Sequence, residues 1–185
     1  MDARDTTRVS ERWGFLLESE RELAERTGGK ILAGSRGALY DHLAEGAPAL
    51  LALWEYFIGN TDWSLAALHN IRLVATDTGT FAVPYDFDFS GLVDAPYAAP
   101  DPRLPIRSVR ERLWRGPCLS APALAPVLAR FVQQRDAIRA LYDALPALDR
   151  RYARDAVRYI DQFYDQLHDA ALASRAFRNL CGAGT

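Results

Sequence analysis

Four polar side chains between residues 62 and 88 are of the types that bind metals and phosphates. Asp86 and Asp88 lie two positions apart in a segment with strand alternation, and Asn70 begins an earlier segment of the same kind. Two carboxylates and a carboxamide supply the hard oxygen ligands that Mg²⁺ and Mn²⁺ prefer, and such a cation keeps waters and binds substrate phosphates. Asp62, on the preceding polar loop, is placed to orient or deprotonate a hydroxyl nucleophile. Phosphoryl transfer has this division of labour, with one Asp on the attacking oxygen and an Asn and another Asp on the metals.

A predicted β-hairpin would bring these side chains together. Residues 69–76 and 80–89 alternate as strands do, and the run Asp-Thr-Gly over 77–79 is a turn signal between them. A turn centred near Thr78 sets the register to within one or two residues and places Asn70 opposite Asp86. The odd-numbered positions, such as Ile71, Leu73, Phe81 and Val83, would then form an apolar face, and the even-numbered ones a polar face with Asn70, Arg72, Asp86 and Asp88.

Helical patterns surround the hairpin. The fold class predicted is α+β and mainly α-helical, with a small hairpin on a helical body. A short apolar strand is expected over residues 13–18, and a Pro-rich irregular connector over 95–105. Helices are expected over residues 20–26, 48–58, 107–115, 122–145 and 148–179.

Composition excludes several classes of protein. Of 185 residues, 49% are hydrophobic and 25% charged, which is too apolar for disorder, and no run of 18 apolar residues predicts a membrane span. With 22 Lys and Arg against 24 Asp and Glu, the net charge of −2 argues against nucleic acid as a partner. Two cysteines do not suggest a disulfide framework, and the polar start lacks a secretory signal, so a cytoplasmic location is expected.

The motifs of residues 55–91 resemble those of a known family. The segment from Glu55 ends in Gly-Asn-Thr-Asp at Asp62, His-Asn ends at Asn70, and Pro-Tyr-Asp-Phe-Asp ends at Asp88, with Ser-Gly following at Gly91. In this order, these motifs resemble the core of the CotH-type spore-coat protein kinases. That resemblance implies an atypical protein-kinase fold and phosphoryl transfer from ATP, with Mg²⁺ or Mn²⁺, to a hydroxyl of a protein Ser or Thr or of a small molecule.

The resemblance also implies roles for single residues. Asp62 matches the catalytic Asp that orients the acceptor, and Asn70 matches a metal-binding Asn. Asp86 matches the main metal-binding Asp, and Asp88 is a second acidic ligand or an alternative alignment of the first. Residues 1–30 correspond to a remnant of the N-terminal lobe and the hinge, and residues 31–185 to the C-terminal lobe, with most of the N-terminal lobe missing.

Other interpretations of the same residues are kept open. An Asp-x-Asp motif also occurs in dehalogenase-type phosphatases, but that alternative fails, because these enzymes need a doubly wound sheet and a later lysine, whereas the rest of this chain is predicted to be helical and Lys30 is its only lysine. A nucleotide-sugar glycosyltransferase stays a weak alternative because the first 58 residues lack a βαβ nucleotide fold. A non-enzymatic alternative is an inactive, truncated kinase-like chain or pseudokinase that acts as a helical interaction module. His69 is expected to make a structural hydrogen bond. The arginines of 107–115 would either recognise an acidic partner or lie on a solvated helix.

Overall fold

The computed structural model describes residues 17–34 and 37–168. Within these ranges the chain is an α+β fold with five α-helices and one antiparallel sheet of three strands, which confirms the predicted class. In chain order the elements are helix α1 (Glu20–Thr27), strand β1 (Lys30–Ile31), a 3₁₀ turn (Tyr40–His42), helix α2 (Ala47–Ile58), strands β2 (Ile71–Thr76) and β3 (Gly79–Pro84), and helices α3 (Ala121–Gln133), α4 (Arg135–Asp143) and α5 (Arg150–His168). The strand expected over 13–18 and the helix expected beyond 168 lie outside the described residues, except that Leu17 and Glu18 belong to no strand.

The predicted hairpin forms, but one residue away from the central predicted register. Its turn has two residues, and Arg72 pairs with Val83 rather than with Pro84. A slip of one residue moves every side chain of one strand to the other face of the sheet. Val83 therefore shares a face with Arg72, and the prediction of a face made only of odd-numbered apolar residues is wrong. Asn70 is likewise opposed by Tyr85, whose N–H donates to the Asn70 carbonyl at 3.0 Å.

Strand β1 is a third strand that the sequence did not predict. Lys30 pairs with Ala75 and Ile31 with Val74, at the edge of β2. Gly29 makes this approach possible, because a Cβ there would lie 2.7 Å from the Ala75 carbonyl oxygen. The strand has only two residues, which is too short to show an alternating pattern in the sequence.

Helix α2 is the buried helix that leads into the Asp62 loop. Pro48 lies in its first turn, and Gly59 ends it in the left-handed conformation, with φ of 69°. Leu53 and Phe57 are 0% and 2% exposed, and each buried side chain of this kind contributes about 1.5–3 kcal/mol to stability. The end of α2 is thus anchored in the core.

The C-terminal helices complete that core. The Phe57 ring lies 5.0 Å from Phe163 of α5 and 5.3 Å from Phe131 of α3, centroid to centroid, both edge to face. The single helix expected over 122–145 is two helices, because Gln134 adopts φ −90° and ψ 0° between α3 and α4. This break lets both Phe131 and Ile138 pack on the core.

The arginine-rich segment 107–115 is irregular rather than helical. The guanidinium groups of Arg110 and Arg112 lie 4.5 and 3.7 Å from the centroid of the Tyr159 ring. Arg112 also donates to the carbonyls of Phe57 and Tyr159 at 3.1 and 2.6 Å. Arg112 therefore joins the segment to α2 and α5, and Arg110 joins it to α5, so neither the solvated helix nor the free partner-binding surface describes them.

Two predictions concern where the protein is located, since one excludes a membrane span and the other expects the cytoplasm. Among residues 17–34 and 37–168, none of the helices combines the length and apolarity that crossing a bilayer requires. Cys118 is disulfide-bonded, which the two widely spaced cysteines did not suggest, and this removes one argument for a reducing compartment. The cytoplasmic location stays a prediction.

Candidate active site at the open end of the hairpin

The loop that carries Asp62 is held from three directions. After the turn at Gly59, the Asn60 N–H donates to the Glu55 carbonyl at 2.8 Å, which continues the end of α2. The Asn60 side chain then turns forward, and its Oδ1 accepts from the Asp62 N–H at 2.9 Å. From outside, Arg115 donates to the carbonyls on either side of Asp62, those of Thr61 and Trp63. These hydrogen bonds hold the backbone at Asp62 independently of the contacts that its side chain makes.

The Asp62 carboxylate is oriented by the first residues of the hairpin. His69 Nε2 lies 3.0 Å from Asp62 Oδ1, which is the hydrogen bond expected of this histidine. Asn70 Nδ2 donates to Asp62 Oδ2 at 3.1 Å and to the Asp62 carbonyl at 2.8 Å. The Asp62 side chain still keeps 41% of its surface exposed. It is thus both fixed in direction and open to a ligand.

Backbone conformation brings Asn70 and Asp86 to the mouth of the hairpin. Asn70 has φ of 54° and Asp86 has φ of 59°, so each lies in the left-handed region where the strand ladder stops. Residues other than glycine rarely adopt this region, and Asn and Asp tolerate it best. Such conformations cost free energy and occur most often at functional sites. Asn70 and Asp86 therefore both adopt a costly backbone conformation at the place where their side chains come together.

Negative charge accumulates at this mouth. Partial desolvation raises the pKa of Asp86, and the neighbouring carboxylates of Asp88 and Asp62 raise it further. The Tyr97 hydroxyl donates to Asp88 Oδ2 at 3.0 Å. Arg72, which shares the predicted polar face, binds Glu20 at 2.6 Å and lies over the Tyr85 ring instead. In the described ranges 17–34 and 37–168, no arginine forms an ion pair with Asp86 or Asp88.

The ligand types at the mouth fit a magnesium-like cation only in part. Within the described part of the chain, no group of three or more His, Cys, Asp or Glu side chains is arranged to hold a metal ion. Asp86 and Asp88 offer carboxylate oxygens as ligands, and their charges repel one another. The Asn70 Nδ2 donates to Asp62, so the Oδ1 is the atom of this side chain that would bind a cation. Mg²⁺ commonly takes one or two carboxylates and completes its shell with waters and substrate phosphates. These three residues fit that requirement, and Asp62 stays outside the set.

Two cavities are lined by chain neighbours of these residues. The larger, of about 670 Å³, is a cleft between the Asp62 loop and the Pro-rich connector; its wall includes Asp62, His69, Phe89, Pro100 and Arg103. The smaller, of about 310 Å³, is lined by Leu17, Glu18, Glu20, Leu23, Arg26, Arg72, Val83, Pro84 and Tyr85. Asp86 and Asp88 line neither cavity and lie in the chain between Tyr85 of the smaller and Phe89 of the larger. Asp62 is thus the predicted site residue that faces one of these cavities directly.

The structure brings all four predicted residues to one region and adds others. Asp62 contacts Asn70 directly, and Asp86 is close enough to Asp62 and Asp88 for their charges to raise its pKa. Asn60 and Arg115, which hold the Asp62 loop, were not singled out in the sequence. Asn60 had a signal, because an Asn two residues before an Asp can accept from that residue's N–H. Arg115 lies 53 positions from Asp62 in the chain, so nothing local predicts its contact.

Comparisons of this chain with protein-family models, with curated proteins and with solved structures found no match.

Proposed function

We propose that this chain is a kinase-like phosphotransferase domain that transfers a phosphoryl group from ATP to a hydroxyl acceptor. The observation that carries the proposal is the cluster at the hairpin mouth, in which Asn70 donates to the Asp62 carboxylate and the charges of Asp62 and Asp88 both act on Asp86. In this proposal Asn70 has two roles, because it orients Asp62 and also belongs to the group that would hold the metal. The resemblance to CotH-type kinases proposed for residues 55–91 gives the same roles, with the helical body as the C-terminal lobe.

The proposed reaction assigns one task to each group. Asp62 orients the acceptor hydroxyl, whose oxygen bonds to the γ-phosphorus while the bond from that phosphorus to the β,γ-bridging oxygen breaks. ADP leaves with the electron pair, and the acceptor proton passes to the Asp62 carboxylate. Asn70, Asp86 and Asp88 would hold Mg²⁺ or Mn²⁺, which supplies charge neutralisation on the phosphates when it is bound.

The two cavities supply places for the two substrates. The smaller cavity is lined by Tyr85, the residue before Asp86 in the chain, and the apolar side chains of Leu23 and Val83 in its wall suit a heteroaromatic base. Its charged lining residues are Glu18, Glu20, Arg26 and Arg72. The larger cleft contains Asp62 and is the place for the acceptor. Because the cleft is open and mixes Phe89 with Arg103, it accommodates a protein side chain or a small hydroxylated molecule.

The first experiment is isothermal titration calorimetry of ATP and ADP into the whole chain, with and without Mg²⁺ or Mn²⁺. The wild-type chain is expected to bind nucleotide only with the cation, and Asp86→Asn is expected to abolish binding. Asp62→Asn should retain binding, because Asp62 faces the acceptor. Asp94→Asn is the matched control, since it removes the same charge from an exposed Asp that also has positive φ, of 51°.

A transfer assay then tests Asp62. Incorporation of radiolabelled γ-phosphate into the chain itself, or into an added protein acceptor, is expected for the wild type and the Asp94→Asn control and not for Asp62→Asn. Nucleotide binding without any transfer in the wild type would contradict the catalytic part of the proposal. A wild-type chain that binds no nucleotide in the presence of the cation would refute the proposal as a whole.

A second candidate is an inactive kinase-like chain that serves as a helical interaction module. The position of Lys30 favours it, because Lys30 pairs with Ala75 near the turn of the hairpin and Asn70 lies beyond the opposite end of β2. Ala75 and Asn70 are five residues apart along the strand, which corresponds to roughly 16 Å. The single lysine is therefore too distant to bind phosphates at the site. On this alternative, Asp86→Asn would leave the biological effect of the chain unchanged.

A further inference from the structure

Glu55 is a buried carboxyl group that the proposed reaction does not use. It lies in the last turn of α2 and is 1% exposed. Neither of its carboxyl oxygens has a hydrogen-bond partner with full geometry within the described residues. Burial raises the pKa of Glu55 to about 8, so the group is mostly protonated at neutral pH. A polar group buried in this way lowers stability, and an apolar side chain would pack there at a lower cost.

The Asn60 carboxamide connects Glu55 to the site. Its Oδ1 accepts from the Asp62 N–H at 2.9 Å. Its Nδ2 is also buried and faces the Glu55 carboxyl, where it opposes the rise in the pKa of Glu55 although the contact falls short of full hydrogen-bond geometry. Exchanging the two ends of the carboxamide would place an NH₂ group against the Asp62 N–H, because one end accepts and the other donates. The Asp62 N–H therefore sets the direction of Asn60, and the Glu55 carboxyl supplies an acceptor for the other end, Nδ2.

We propose that Glu55 is a positioning residue for Asp62, acting through the Asn60 carboxamide. The inference rests on the proposed function, in which Asp62 orients the acceptor. By supplying an acceptor for Nδ2, Glu55 stabilises the Asn60 carboxamide where its Oδ1 accepts from the Asp62 N–H, and thereby keeps the Asp62 carboxylate beside His69 and Asn70. Without that acceptor, the buried Asn60 Nδ2 has no polar group to face, and the inner support of the Asp62 loop is weakened.

Two substitutions of Glu55 separate positioning from packing. Glu55→Gln keeps a carbonyl oxygen for Asn60 Nδ2 and removes the titration. Glu55→Met keeps the length and volume of the side chain but removes the oxygen, and it is expected to fold because an unbranched apolar side chain suits this buried position. Glu45→Gln, at an exposed position ahead of the same helix, is the matched control.

The readout is amide hydrogen exchange at Asp62, measured by NMR relative to the amide of Val74 in the centre of the sheet. Glu55→Met should accelerate Asp62 exchange about tenfold relative to Val74, the effect of losing one hydrogen bond. Glu55→Gln and Glu45→Gln should leave the ratio unchanged. An unchanged ratio in Glu55→Met, or a raised ratio in Glu55→Gln, would overturn the proposal, and the Glu55→Gln result decides even if Glu55→Met does not fold.

This measurement needs no enzymatic activity, so its outcome is separate from that of the calorimetry. If the wild type transfers phosphate, Glu55→Met should also lower kcat while the KM for ATP stays unchanged, because Asn70, Asp86 and Asp88 are untouched. Glu55→Gln should restore kcat. Equal losses of kcat in both variants would contradict positioning through Asn60.

Discussion

Replacement of Glu55 by Gln should remove a large pH dependence of folding stability. Burial raises the pKa of Glu55 to about 8 in the folded chain, from the 4.5 that is ordinary for an exposed glutamate. Since the folded state holds this proton more tightly, the unfolded state ionises first as the pH rises. The stabilising effect of the neutral carboxyl is complete below pH 4.5 and is lost progressively up to about pH 8.

The size of the effect follows from the same values. Each pH unit inside that window changes the free energy of unfolding by ~1.4 kcal/mol. Between pH 5.5 and 7.5 the wild type should therefore lose about 2–3 kcal/mol that Glu55→Gln does not lose. The other titrating groups are common to both proteins, so the difference between the two curves isolates Glu55.

Urea unfolding followed by tryptophan fluorescence measures this difference at pH 5.5, 6.5 and 7.5. The urea dependence should be the same for both proteins, which verifies that they unfold to the same extent. Glu45→Gln should follow the wild-type curve because Glu45 is exposed. A difference between wild type and Glu55→Gln that varies by less than about 0.5 kcal/mol over this range, against the ~1.4 kcal/mol per pH unit expected, would refute the assignment of a buried neutral carboxyl.

Three further predictions concern the turn after α2 and the site. Gly59→Ala should destabilise the chain by about 1–3 kcal/mol in thermal unfolding, because the new Cβ would clash with the Tyr159 hydroxyl at a residue with positive φ; Tyr159→Phe should recover part of the loss, and no recovery would place the cost in the backbone alone. Asp86→Asn should raise the thermal midpoint in metal-free buffer, since it removes repulsion from Asp88, and a lowered midpoint would contradict that repulsion. Arg115→Met should cost about 1–3 kcal/mol and accelerate amide exchange in the Asp62 loop, whose two carbonyls it binds; unchanged exchange would argue against that support.

Local patterns predicted much of the hairpin and its flanking helix. Gly59 and Pro48 predicted the ends of α2, and the Asp-Thr-Gly run predicted the turn between β2 and β3. The register was not predictable to a single residue, because a turn of two residues and one of three fit the same run. That single residue decides which side chains share a face. Val83 and Arg72 therefore lie together, against the expectation from alternation alone.

Contacts between distant parts of the chain could not be predicted in the same way. Arg110 and Arg112 carry the signature of a charged surface in the sequence, yet they stack on Tyr159, almost 50 positions later. Guanidinium groups stack on aromatic rings and donate to carbonyls, and this chemistry has no characteristic spacing. The break at Gln134 is similar, since its cause is the packing of α3 and α4 on the core rather than a Pro or Gly at that position.

The candidate site contains residues that local patterns predict and residues whose role depends on tertiary contacts. This difference explains which of its residues were found from the sequence. Asp62, Asn70, Asp86 and Asp88 were found because each lies next to a turn or a strand end, where local rules apply. Asn60 and Glu55 were missed because their role depends on the direction of one buried carboxamide, whose oxygen accepts from the Asp62 N–H and whose Nδ2 faces a buried carboxyl. A buried carboxyl in the last turn of an otherwise apolar helix is nevertheless visible in the sequence as Glu55 between Trp54 and Tyr56. Because a buried charge is costly, such a carboxyl is held neutral or faced by a polar group, and Glu55 shows both, with a raised pKa and the Asn60 carboxamide beside it.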